Sequence, residues 1–219
     1  MIPLHKITPA ELEAWCRDGE ALDVKNGYPA VVLHPDGTVT KLWARPLRFF
    51  SSARWRPYSD RFVHNAAKLR ERGIKVPELL LHGQLEGSHI RLVRYRSLSG
   101  TSIRALLRSN PQSLDIPALA AFYARLHHLG IAFRSIHFGN VILTPDQDYG
   151  LIDFSNLDLS QKPLTIAQRG KNLATPLRYR EDITLLKAAA LPDFLDAYCQ
   201  TINASPQNRQ TIFTLAHKG

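Results

Sequence analysis

Several things are scarce in this chain of 219 residues. It has only two cysteines, Cys16 and Cys199, too few for a disulfide framework or a cysteine-built zinc site. No apolar run approaches the roughly eighteen residues needed to cross a bilayer as a helix. Met1 to Cys16 carries His5, Lys6, Glu11 and Glu13 where a secretory leader would need an apolar core. These absences together set a reducing cytoplasm as the expected compartment. The 12 glycines and 14 prolines are scattered, with no repeat and no low-complexity tract. Acidic residues are also scarce, 19 against 28 basic ones.

What is present is a globular composition, 44% hydrophobic and 21% charged, with an uneven charge of +9. Residues 1–40 carry three basic and six acidic side chains, whereas residues 41–72 carry nine basic and two acidic. The block comprises Lys41, Arg45, Arg48, Arg54, Arg56, Arg61, Lys68, Arg70 and Arg72. Arginine outnumbers lysine 19 to 9, which suits forked contacts to phosphate oxygens. Such a block attracts nucleotide, anionic glycolipid, nucleic acid or an anionic membrane surface. No nucleic-acid recognition motif accompanies it, so a nucleic-acid partner is the least supported of these.

The pattern divides the chain. Pro9, Glu11 and Glu13 open a helix over 9–18. Residues 30–33 and 38–43 flank the turn His34-Pro35-Asp36-Gly37 and predict a hairpin. A helix over 59–72, opened by Ser59 or Asp60 and stopped by Gly73, buries Phe62, Ala66 and Leu69. Runs at 79–81 and 90–93 predict a further strand pair. Helices follow near 101–109 and 117–128. Two short apolar runs, 140–143 and 150–154, are separated by Pro145-Asp146-Gln147-Asp148. Further helices are expected near 165–174 and 181–191, with the tail helical to Tyr198.

The chemistry concentrates in Gly130–Ser155. Phe133-Arg134-Ser135 is followed by Ile136-His137-Phe138-Gly139-Asn140, a hairpin-like stretch, and then Asp153-Phe154-Ser155. This resembles the catalytic and metal-binding loops of the protein-kinase-like fold, where His-Arg-Asp, an Asn and Asp-Phe-Gly occur in that order. Lys41, in the second strand of the first hairpin, stands where the phosphate-binding lysine would sit. Within that fold the chain resembles bacterial lipopolysaccharide core sugar kinases of the Kdo/heptose type and short proteins of the toluene-tolerance type. The likeness also rests on Arg61-Phe62, Asn65-Ala66 and Gly73-Ile74-Lys75-Val76-Pro77, and runs from about residue 20 to about 190.

The resemblance implies an α+β, two-lobed protein-kinase-like fold. Residues 1–96 would form a small antiparallel-sheet N-lobe with one long helix, and 97–219 a short, mainly helical C-lobe. It implies ATP and magnesium as cofactors, with Lys41 on the α/β-phosphates and Asn140 and Asp153 on the metal. Gly27 marks the degenerate glycine loop. Asn65 or Asp60 is the nearest polar substitute for a missing helix glutamate. The catalytic loop would be Arg134, Ser135 and His137, with Ser135 where an aspartate is usual, which leaves slow catalysis by positioning alone, a substitute base such as His137 or Asp158, or no catalysis. Asp182 would either brace that loop from below or be an acid in the first turn of a helix. The implied activity is phosphoryl transfer to a lipopolysaccharide core sugar or related anionic glycan. The basic block at 45–72 would face acceptor phosphates or the inner membrane, as a peripheral contact. The alternative is a pseudokinase that regulates envelope biogenesis.

Overall fold

Alternation along Thr38–Trp43 organises the first half of the molecule. In the computed structural model, Thr38, Thr40 and Leu42 turn to one face of a sheet and Val39, Lys41 and Trp43 to the other. The structure describes residues 2–25, 27–44, 56–134, 136–176, 179, 181–182, 184–185 and 191–217. The chain forms two compact units, Met1–Leu98 and Ser99–Gly219.

In the first unit, β1 (Leu4–Ile7), β2 (Glu20–Lys25), β3 (Tyr28–Leu33), β4 (Thr38–Trp43), β5 (Glu78–Leu85) and β6 (Arg91–Arg96) make one sheet. Its order is β1-β5-β6-β4-β3-β2, antiparallel except that β1 runs parallel to β5. Helix α1 (Pro9–Asp18) starts at Thr8, whose hydroxyl accepts from the Glu11 N–H while the Glu11 carboxylate accepts from the Thr8 N–H. Its Leu12 joins Ile7, Val32, Leu42, Leu85, Ile90 and Leu92 in the core on one sheet face. Helix α2 (Tyr58–Glu71) is tied to the face carrying Trp43, because Phe62 meets the Trp43 and Tyr95 rings at 5.9 and 5.7 Å.

The start of α2 differs from the sequence expectation. Pro57 occupies the cap position, with no side-chain cap, and Ser59 and Asp60 lie in the first turn. The physical reason is that Asp60 is engaged elsewhere, with Arg91 on β6 and with His82 on β5 at 3.2 Å.

The second unit is mainly helical. It contains β7 (Thr101–Ser102), α3 (Ile103–Ser109), α4 (Ile116–His128), β8 (Ile131–Phe133), β9 (Val141–Leu143), β10 (Tyr149–Leu151) and β11 (Leu157–Leu159). Further on come helices α5 (Ile166–Leu173), α6 (Leu191–Thr201) and α7 (Pro206–Ala216). Tyr123 of α4 meets Phe194 of α6 edge-on at 5.3 Å, both nearly fully buried. Helices α5 and α7 cross closely at Gly170, where an added Cβ would lie 2.8 Å from Leu215. Strands β10-β9-β7 form one small sheet and β11-β8 another. The segment expected to be helical near 181–191 falls largely outside the described residues. Among the described residues no helix is long and apolar enough to cross a membrane.

Candidate functional site

Strand β8 delivers the chain into the loop that holds Arg134, Ser135 and His137, three of the residues singled out from sequence. Gly130, at φ +71°, makes the turn into it, and an added Cβ would lie 2.4 Å from the Ser160 carbonyl. After Phe133, Arg134 is exposed and Ser135 lies outside the described residues. His137 then caps a single 3-10 turn, Phe138–Asn140, its Nδ1 accepting the Gly139 N–H at 3.1 Å. A Cβ at Gly139 would meet the His137 ring at 3.0 Å and the Arg104 guanidinium at 3.1 Å, so glycine lets both close in.

The hairpin β9–β10 brings Asp153 back to Asn140. The two residues are thirteen apart in sequence, yet the Ile152 N–H donates to the Asn140 carbonyl at 3.0 Å. Asp153 follows at φ +53°, in the left-handed region. A non-glycine residue there carries backbone strain, and such strain gathers at functional sites. Phe154 is fully buried and anchors the turn, while Asp153 is exposed and Asn140 is 6% exposed. Carboxylate and amide oxygens are hard donors suited to magnesium, which keeps several waters and needs few protein ligands. The donor set therefore fits the metal. Among the described residues no group of three His, Cys, Asp or Glu could hold an ion by itself.

Asp182 holds this loop from inside the fold. Its carboxylate is wholly buried, accepts the Phe138 N–H at 2.8 Å, and takes Arg104 Nε and Nη2 at 2.6 and 3.2 Å. The Asp182 bond to the loop backbone matches the bracing expected from sequence. Burial and then Arg104 push the His137 pKa down, with Asp182 and Asp153 opposing. On the other side, Arg134 forks onto Asp158 at 2.7 and 2.9 Å. The two residues named separately from sequence, one in the loop and one as a substitute base, are thus a pair.

In the first unit, Lys41 pairs in register with Val31 and Val93, and its ammonium lies 5.7 Å from the Trp43 ring centroid. Register puts Leu22 and Leu33 on the same face, beside Val31 and Val39, and both are partly exposed. The face therefore offers a cation flanked by accessible apolar side chains. Gly27 is exposed at φ +78° in the β2–β3 turn. Asn65 is buried within α2.

No known family profile matches the sequence, and no curated protein matches it. Among solved structures, monomeric WbdD is similar with a TM-score of 0.50 at 15% identity, over 86% of this chain and 44% of that one. A second WbdD crystal structure gives 0.45 at 15% identity, over 86% and 47%. A divergent kinase lacking the glycine-rich loop, which regulates membrane ultrastructure of the Toxoplasma parasitophorous vacuole, gives 0.46 at 22%, over 84% and 70%. This is a protein-kinase-like fold. The chain spans less than half the length of the WbdD chains it matches.

Asp60, one of two substitutes considered for the helix glutamate, is bonded to Arg91 and His82. The kinase-like loop also has a support that sequence reasoning missed. Arg169, a pure donor, lies 3.5 Å from the Tyr198 hydroxyl, and that hydroxyl lies 2.7 Å from His127 Nδ1. His127 Nε2 is then the protonated nitrogen, donating to Asn172 Oδ1 at 3.0 Å, and Asn172 Nδ2 donates to the Phe133 carbonyl at 3.0 Å. This one-way chain ends one residue before Arg134. Burial pushes the His127 pKa down to about 4, helped by Arg169 and opposed by the Asn172 bond, so the ring is neutral at pH 7. No local motif marks these residues, since Tyr198 is 71 positions from His127.

Proposed function

We propose that this protein binds ATP with magnesium and transfers the terminal phosphoryl group to a hydroxyl of a lipopolysaccharide core sugar or related anionic glycan. The observation that carries the reading is the strained Asp153, returned to Asn140 by a backbone hydrogen bond. The resemblance to core sugar kinases and the basic block support the anionic acceptor.

In this reading Lys41 neutralises the α/β-phosphates, and Asn140 and Asp153 hold the metal, which offsets charge as the phosphoryl group moves. Arg134 and His137 shape the loop. Ser135 stands where a general base is usual, and a base is worth about 10²–10⁴-fold. A loose phosphoryl transition state needs little early deprotonation, so slow turnover survives that loss. The same serine favours the second reading, a pseudokinase that binds nucleotide or nothing and acts through protein contacts.

A thermal-shift titration followed by transfer assays on core oligosaccharides decides between them. ATP with magnesium should raise the melting temperature. Asp153→Ala should lose the magnesium-dependent part, Lys41→Met should weaken nucleotide binding, and Ser135→Asp should be neutral or activating for transfer. No shift and no transfer in any of these proteins, Ser135→Asp included, overturns the enzyme reading in favour of the pseudokinase.

A further inference from the structure

Helix α2 has two unlike sides. Phe62, Val63, Ala66 and Leu69 are buried, whereas Arg61, His64 and Lys68 recur at intervals of three and four on the opposite side. Arg56 precedes the helix, exposed, and its carbonyl accepts from Arg61 Nε at 2.8 Å. Tyr58, 36% exposed, carries the Arg61 guanidinium 5.2 Å above its ring. Only one of the two acids of α2 is spent on this basic side, and it offsets the charge in part. Asp60 is taken up by Arg91 and His82, leaving Glu71, bonded to Lys68 at 2.7 Å. The local potential registers on His64, whose pKa is lowered by burial and then by Arg56 and Lys68, with Glu71 opposing.

The chain leading into this helix has the matching composition. Residues 45–55 include Arg45, Arg48 and Arg54 interleaved with Phe49, Phe50 and Trp55, and no acid. Basic side chains draw a surface to anionic headgroups, and aromatic rings favour the bilayer interface, so the pairing suits a membrane better than a soluble polyanion. We propose that the outward side of α2, through Arg56, Tyr58, Arg61 and Lys68, docks on an anionic lipid bilayer. The docking is peripheral, and it does not depend on phosphoryl transfer.

The test is co-sedimentation of the full chain with phosphatidylglycerol-containing vesicles and with pure phosphatidylcholine vesicles, at low and high salt. Binding should require the anionic lipid and fall with salt. Each basic residue near such a surface is worth about fivefold in partitioning. The Arg56→Gln/Arg61→Gln/Lys68→Gln protein should therefore lose about a hundredfold, and Lys68→Gln alone, which leaves the helix start untouched, about fivefold. Equal binding to phosphatidylcholine, no binding to either vesicle, or undiminished binding by folded Lys68→Gln would overturn the proposal. So would a short oligonucleotide that binds more tightly than the vesicles.

Discussion

Two arginine–carboxylate forks bracket the same loop with nearly the same geometry. Arg104 meets Asp182 at 2.6 and 3.2 Å, and Arg134 meets Asp158 at 2.7 and 2.9 Å. Their surroundings differ completely. The Asp182 side chain is 0% exposed and also accepts a backbone N–H, whereas Arg134 and Asp158 are 70% and 56% exposed. Solvation, more than bond length, sets what each is worth. A buried carboxylate cannot be removed without stranding its partners, while an exposed pair exchanges its bonds for water.

The comparison breaks most visibly at Asp182. Asp182→Ala leaves the Arg104 guanidinium and the Phe138 N–H short of an acceptor, at a cost of about 3–5 kcal/mol. Urea unfolding measures it, and a loss under about 1 kcal/mol would show that water or a neighbour replaces the carboxylate. Next comes the neutral chain through His127. Its folded pKa of about 4 lies below its unfolded 6.5, so the unfolded state binds more protons between those values. Stability is therefore present above pH 6.5 and falls as acid is added toward pH 4, by about 3 kcal/mol from this group. His127→Gln should flatten that part of the pH–stability curve, and an unchanged slope would reassign the acid sensitivity. Asp158→Ala should cost the least, below about 1 kcal/mol, with a difference from wild type that shrinks as salt is added. A large, salt-independent loss would mean that the exposed fork is more than a surface pair.

Legibility in the sequence followed the distance between partners. Helix α4 and the β3–β4 hairpin, with Gly37 donating to His34 at 3.0 Å, are local patterns and were readable as such. So was the spacing that returns Asp153 to Asn140, because a hairpin joins them. Strand β1 was not, since its four residues become a strand only by lying parallel to β5, some eighty positions away. Strands β8 and β11 have three residues each, too few for any periodicity to show. Helix α7 was missed although Ser205 caps it and Pro206 opens it, signals that were there to read. The His127 chain joins four elements and carries no motif. Asp182 was readable as an acid near the loop, but not Arg104 as its partner, 78 positions away.

The backbone at Asp153 has a consequence for how this sequence drifts. A φ of +53° suits glycine best and asparagine well, so a lineage under selection for folding alone would be free to relax to either. Aspartate there exchanges some conformational ease for a carboxylate. Descendants in which that carboxylate no longer served would be recognised by Gly or Asn at this one position, with Phe154 unchanged beneath it. Those in which it holds the metal proposed above would keep Asp against the local preference of the chain.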